Sequence, residues 1–206
     1  MNISRFYQNL DHYLKPGKVL VLYGSRQAGK TTLLRDFLTR TKMKYKLDSG
    51  DNIKTQEILG SQDFSKILEY ASGYDLLAID EAQRIPNVGQ GLKIIVDQIP
   101  EIKVIATGSS SFELAGQIGE PLTGRKRTLT LFPLAQMELA GIYNIHEIKE
   151  RLPEWLIFGG YPEVVTAKAK QEKKDALEEI VSSYLLKDVL ELERVKGSKI
   201  LLDLLR

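Results

Sequence analysis

Short apolar runs punctuate residues 19–131, and the segments between them carry apolar positions at helical spacing. Val19–Tyr23 is continuously apolar, the pattern of a strand buried on both faces of a parallel sheet. Further strands are predicted at 45–47, 76–79, 102–106 and 127–131, the last ended by Pro133. The intervening segments predict helices at about 30–39, at 53–70 with a break near Gly60, at 91–98 before Pro100, and at 111–117. Ahead of the first strand, Phe6, Leu10 and Leu14 predict a short leading helix over 3–14, ended by Pro16-Gly17. Strands alternating with helices predict an α/β fold with a mostly parallel sheet.

After Pro133 the pattern turns helical. Helices are predicted at 134–141, 146–158 and 171–195, with Gly159-Gly160-Tyr161-Pro162 as a sharp break between the last two. The expected division is a core over 1–134 and a helical lid over 135–206. Residues 199–206 carry an apolar helical pattern that stops without a cap. The expectation is a chain cut inside a further domain; the alternative is a terminal helix packed back on the lid.

Chemistry enters directly after the first strand. The run GSRQAGKTT is G-x-x-x-x-G-K-[ST] at the junction of a predicted strand and a predicted helix, the context of a phosphate-binding loop. The candidate phosphate contacts are Gly24, Ser25, Arg26, Gln27, Ala28, Gly29, Lys30, Thr31 and Thr32. Glycines let the backbone bend around an anion, and the helix N-terminus favours negative charge there. Lys30 is the candidate for the β- and γ-phosphates, and the Thr31 hydroxyl for Mg2+. Arg26 is placed to contact either phosphate or a neighbouring carboxylate, and the sequence does not choose.

The third strand delivers a second acidic element. Leu76-Leu77-Ala78-Ile79 runs into Asp80-Glu81, at the strand end where open α/β sheets place ligand contacts. Asp80 is the candidate to hold Mg2+ through water, and Glu81 to orient and polarise an attacking water. The fourth strand runs out at Thr107-Gly108-Ser109-Ser110-Ser111. Ser109 and Thr107 are candidates to contact the γ-phosphate or the lytic water; equally, these hydroxyls suit a helix cap. Arg125, just before the fifth strand, is a candidate to neutralise transition-state charge, in cis or from a neighbouring subunit; the competing reading is a solvated basic turn.

Composition narrows the picture without redirecting it. The 206 residues are 43% hydrophobic and 27% charged, ordinary for a globular chain, and suffice for one substantial core. A net charge of +2 gives no bulk electrostatic argument for nucleic acid or a membrane surface. There is no cysteine, which excludes disulfides and thiol catalysis and fits a reducing compartment. The polar N-terminus is unlike a signal peptide, and no apolar run approaches the ~20 residues of a membrane span. A cytoplasmic protein is expected.

The set GSRQAGKTT, LLAIDEAQ, VIATGSSS, LTGRKRTLTLFPLAQME, FGGYPEVV and YLLKDV resembles the prokaryotic AAA-type ATPase family with a C-terminal domain of unknown function. The motifs occur in the family's order over nearly the whole chain. The resemblance implies an ASCE-division P-loop domain, a three-layer sandwich with sheet order 5-1-4-3-2, and a helical lid. It carries Lys30 and Thr31 over as phosphate and Mg2+ residues, and Asp80 and Glu81 as Mg2+ and water-activating residues. Ser109 or its neighbours match the polar residue after the fourth strand, and Arg125 the arginine of the GR pair. It implies Mg-dependent hydrolysis of ATP, coupled to movement of the lid or of a further C-terminal domain. A homo-oligomer and DNA are further partners it raises, the latter without support from charge.

The rival readings are a non-catalytic ATP-dependent scaffold or switch and a helicase-like DNA-dependent ATPase, since Asp80-Glu81-Ala82-Gln83 also resembles a helicase motif. A helicase needs a second motor domain, which this length does not hold. No N-K-x-D motif is present, which weighs against a GTP switch. Glu81 beside Asp80 fits water activation better than a kinase acceptor site.

Overall fold

The computed structural model describes residues 3–108 and 120–182, and these form two compact units. One lies within Arg5–Ser25 and Gly29–Phe132. The other takes in Ile3, Ser4, Arg26–Ala28 and the described residues from Pro133 onward.

The first unit is built on β1 (Val19–Tyr23), α1 (Lys30–Arg40), β2 (Tyr45–Ser49), α2 (Ile53–Leu59), α3 (Phe64–Ala71), β3 (Leu76–Asp80), α4 (Val88–Gln98), β4 (Lys103–Gly108) and β5 (Lys126–Thr130). The strands form one sheet in the order β2-β3-β4-β1-β5, every pairing parallel. This is the 5-1-4-3-2 order that the resemblance implies. β1 is buried at all five positions because it has a strand on either side and helices on both faces. Alternation divides its side chains between two cores. Val19, Val21 and Tyr23 pack with Leu59, Ile67, Leu92 and Ile95, on the side of α2, α3 and α4. Leu20 and Leu22 pack with Leu33, Leu34, Phe37 and Leu38 of α1. Each fully buried leucine contributes roughly 1.5–3 kcal/mol relative to exposure.

Local signals explain where elements stop. The predicted helix over 53–70 is two helices, each with its own acceptor at the start: Asn52 caps α2 at the Lys54 amide and Asp63 caps α3 at the Lys66 amide. The leading helix predicted over 3–14 is reduced to a single 3-10 turn, Leu10–His12. Leu10 and Leu14 reach the core from that turn, whereas Phe6 stays 62% exposed, so a longer helix has no third apolar contact to repay its ordering. The helix predicted over 111–117 lies outside the described residues.

The second unit holds α5 (Gln136–Leu139), α6 (Ile145–Phe158), α7 (Pro162–Thr166) and α8 (Lys170–Ile180). The helix expected over 134–141 is one turn, held by Glu138, whose Oε2 accepts from the Ala135 amide at 2.9 Å. α6 starts at a capping box: Asn144 Oδ1 accepts from the His146 and Glu147 amides, and Glu147 Oε2 accepts from the Asn144 amide. The unit's core is small, Leu134, Leu139 and Val165, with Ile3, Tyr143 and Trp155 against it. Buried Lys173 ties α8 to α6 through Glu154 at 3.0 Å. Of the helix expected over 171–195, the described part is α-helical to Ile180 and ends at Ser182, and the remainder and the pattern at 199–206 lie outside the described residues.

Candidate functional site

The sheet register assembles the site at the C-terminal ends of the inner strands. Tyr23 pairs with Gly108, so the loop that leaves β1 and the end of β4 lie side by side. Ile79 pairs with Ala106, which sets Asp80 beside Thr107. α1 begins at Lys30, its N-cap residue Gly29 sits at φ +95°, and no side chain caps it. The first amides of α1 therefore have no intrahelical acceptor, the condition that makes a helix N-terminus an anion site.

The glycine at 24 has a reason the sequence does not disclose. A Cβ there would lie 2.2 Å from the Leu131 carbonyl oxygen, so the residue is required by the chain leaving β5. Lys30 is 5% exposed, and its ammonium donates to the carbonyls of Gly24 and Ser25 at 2.9 and 2.8 Å. The cation is thus held at the mouth of the loop by the loop itself. Gln27 adopts a left-handed conformation at φ +59°, the kind of backbone turn from which anion nests are made.

Asp80 is bracketed by two threonine hydroxyls. Thr31 donates to its Oδ2 at 2.8 Å, and fully buried Thr107 donates to its Oδ1. The Thr107 oxygen in turn accepts from the Glu81 amide at 3.2 Å. Glu81 itself has φ +51°, left-handed for a residue with a Cβ. Its carboxylate Oε2 accepts from Nε2 of Gln83 at 2.6 Å. A hydroxyl and a carboxylate oxygen adjacent at the helix start are hard donors, the set that Mg2+ takes together with phosphate oxygens and water. The donor chemistry of Thr31 and Asp80 fits that ion. Among the described residues there is no cluster of three or more His, Asp or Glu that would form a cage of its own.

Lys30, Thr31, Asp80 and Glu81 are brought together; Arg125 is not. Its carbonyl accepts from the Val19 amide at 2.8 Å, at the start of β1, and the phosphate loop begins five residues further on, roughly 16 Å at 3.3 Å per residue. The cause is topology: β5 runs parallel to β1, so the turn ahead of β5 lies at the opposite rim of the sheet. There the Arg125 guanidinium pairs with Asp97 at the end of α4. Ser109 lies outside the described residues; Thr107 is the described hydroxyl of that strand end. Gln83 and Gly50 were not candidates. Gln83 sits in the 3-10 turn Ala82–Arg84 and is 8% exposed, and nothing in its type or spacing announces burial. The Gly50 amide donates to the Asp80 carbonyl at 2.7 Å, a contact made across the sheet.

Residues 16–140 match the family model described as AAA domain, AAA_14, which is more than half of the chain. This chain belongs to the AAA domain family. Residues 149–206 match a domain of unknown function, DUF8612. An uncharacterized protein of Methanocaldococcus jannaschii, MJ1544, is 25% identical over 209 residues, covering 93% of this chain and 46% of the relative. Another of Mycobacterium tuberculosis, Rv2008c, is 30% identical over 175 residues, covering 84% and 36%. A third, of Haemophilus influenzae, is 24% identical over 227 residues, covering 97% and 53%. The chain thus spans from about a third to about half of the length of these curated relatives. Among solved structures, the fold matches a STAND (Signal Transduction ATPase with Numerous Domains) protein with a tetratricopeptide repeat sensor, PH0952 of Pyrococcus horikoshii. That match has a TM-score of 0.51 at 16% identity and covers 84% of this chain and 31% of the other. The Walker-type ATPase of Pyrococcus abyssi aligns at TM-score 0.49 and 18% identity, over 85% and 71%. The chain is accordingly an AAA domain by family, and the STAND structure shares its α/β fold. Among its described residues no helix is long and apolar enough to cross a membrane.

Proposed function

We propose that the AAA domain binds ATP with Mg2+ and hydrolyses it to ADP and phosphate, and that the helical unit works as a lid that the cycle moves. The observation that supports this most is the constellation around Asp80: Thr31 on one carboxylate oxygen, Thr107 on the other, and Glu81 as the next residue. In this reading the loop amides and Lys30 hold the β- and γ-phosphates. Lys30 is already aimed by two carbonyls, so it exchanges them for phosphate oxygens with little reordering of its side chain. Mg2+, when bound by Thr31 and Asp80, neutralises charge on the phosphate oxygens. Glu81 orients a water in line with the γ-phosphate and accepts its proton. Thr107 keeps Asp80 from rotating and fixes the Glu81 amide. Ser109 is a further candidate for the γ-phosphate or the lytic water. Arg125, at the far rim, serves only a neighbouring copy. The cysteine-free sequence fits work in the cytoplasm.

Two variants test the reading. Lys30→Ala should weaken ATP binding by at least roughly tenfold, the loss of one charge-assisted contact, measured by calorimetry. Glu81→Gln should keep Mg·ATP affinity and lower turnover by about 10²–10⁴, measured as phosphate release. Turnover unchanged in Glu81→Gln would mean that Glu81 is not catalytic, and a wild type without turnover would leave the nucleotide-dependent scaffold or switch as the better reading.

A further inference from the structure

The backbone of Glu81 is fixed from several directions, whereas its carboxylate is fixed from one. Its amide donates to Thr107, its carbonyl accepts from the Arg84 amide at 3.0 Å, and the preceding carbonyl, of Asp80, accepts from Gly50. Gly50 lies so close that a Cβ on it would come within 2.2 Å of the Glu81 carbonyl oxygen. These contacts hold the left-handed turn at φ +51°, a conformation that a residue with a Cβ adopts only when its surroundings impose it. None of them acts on the side chain, whose three rotatable bonds would let the carboxylate sweep a wide arc. The contact to that carboxylate among the described residues is the Gln83 amide, 2.6 Å from Oε2.

Gln83 is built to make it. The residue is nearly buried, and its backbone is locked in a one-turn helix closed by the Arg84 and Ile85 amides, beside fully buried Ala82. A neutral amide donor orients a carboxylate without adding the full charge of a lysine or arginine, which would hold the carboxylate as an ion partner and blunt it as a base.

We propose that Gln83 is the positioning residue of the hydrolysis reaction: it engages Oε2 of Glu81 and thereby presents Oε1 to the attacking water. The role rests on the hydrolysis reading above. It predicts that Gln83 matters to turnover only through Glu81.

The experiment is a double-mutant cycle on the full-length protein. Gln83→Met removes the donor at similar volume; Gln83→Glu keeps size and polarity, and repels. Each is expected to lower kcat by roughly ten- to a hundredfold, the loss of one hydrogen bond to a charged group. In Gln83→Met the affinity for a non-hydrolysable ATP analogue with Mg2+ and the thermal midpoint should stay at wild-type values, whereas Gln83→Glu, which buries a like charge, is read by kcat alone. In the Glu81→Gln background, Gln83→Met should change kcat by less than about twofold, because residues acting as a unit are not additive. Equal losses in both backgrounds, or a kcat loss matched by lost affinity and a lower thermal midpoint, overturn the positioning role and make Gln83 structural. A wild-type protein without turnover overturns the hydrolysis reading and this role with it; a hydrolysing wild type with additive losses overturns the role alone.

Discussion

The Thr31 hydroxyl donates to Oδ2 of Asp80 at 2.8 Å, joining the first turn of α1 to the end of β3 across 49 positions of sequence. Both groups are oxygen donors, and each satisfies the other without a metal. In the Mg·ATP reading these two oxygens, already side by side, would be the protein's ligands to the ion, and the Thr31 hydroxyl would turn a lone pair to the cation.

Asp80→Asn should uncouple nucleotide from metal. The amide keeps the shape and both threonine neighbours but loses the anionic oxygen that Mg2+ needs. Affinity for ATP without Mg2+ is expected to stay within a few-fold of wild type, and the gain on adding Mg2+ should fall by at least about tenfold, the weight of one ionic ligand. Calorimetric titrations in Mg2+ and in EDTA check it. A full Mg2+ gain in the variant would remove Asp80 from the metal site.

Gly50→Ala probes the contact under Glu81. The new methyl meets the Glu81 carbonyl oxygen at 2.2 Å, backbone against backbone, with no flexible side chain to give way. A cost of about 1–3 kcal/mol is expected, typical of overpacking. Urea unfolding should report it as a lower midpoint at unchanged slope. Wild-type stability would mean that the loop after β2 can retreat from the Glu81 turn.

Tyr23 ends β1 with a buried hydroxyl that has no hydrogen-bond partner among the described residues. Burial pushes its phenol up from 10.0 to about 12. The folded state therefore holds the proton that the unfolded chain releases, and the associated stability is complete below pH 10 and lost as pH rises toward 12. Tyr23→Phe removes the unpaired group at the same shape. At pH 7 it should leave stability unchanged or raise it by up to about 1 kcal/mol. Between pH 10 and 12 its stability should fall less steeply than that of wild type, the difference isolating this phenol from other tyrosines. A loss above about 1 kcal/mol at pH 7 would show that the hydroxyl is used after all.

Arg125→Ala should separate the two rims of the sheet. The ion pair with Asp97 is partly exposed, at 41% and 31%, so its loss should cost less than about 1 kcal/mol. ATP affinity and the turnover of dilute protein should be unchanged. Turnover that falls in the variant only as protein concentration rises would assign Arg125 to a neighbouring copy's site. A large loss in dilute protein would contradict the distance set by β1.

Much of the fold was legible because parallel α/β proteins write their architecture into short patterns. Val19–Tyr23 had to be a central strand, since no other environment accepts five consecutive buried side chains so cheaply. Asn52 and Asp63 show how much of the rest was local: each is a helix start that a polar residue announces, and the break expected near Gly60 falls where α2 ends. The leading helix was misread because three apolar residues at helical spacing do not make a helix when only two reach a core.

The sequence by itself determined the chemistry available: a glycine-bounded loop with Lys30 and Thr31, and an acidic pair at a strand end. These identities depend on neighbours a few positions away, which is the range that chain patterns encode. Tertiary structure alone decided which groups meet. The parallel register set Thr107 against Asp80 and left Arg125 at the other end of β1. It also turned Gln83 inward onto Glu81 and pressed Gly50 against the same turn. The reason is geometric. Strand order and direction fix distances between residues that are remote along the chain, and no local propensity carries that information.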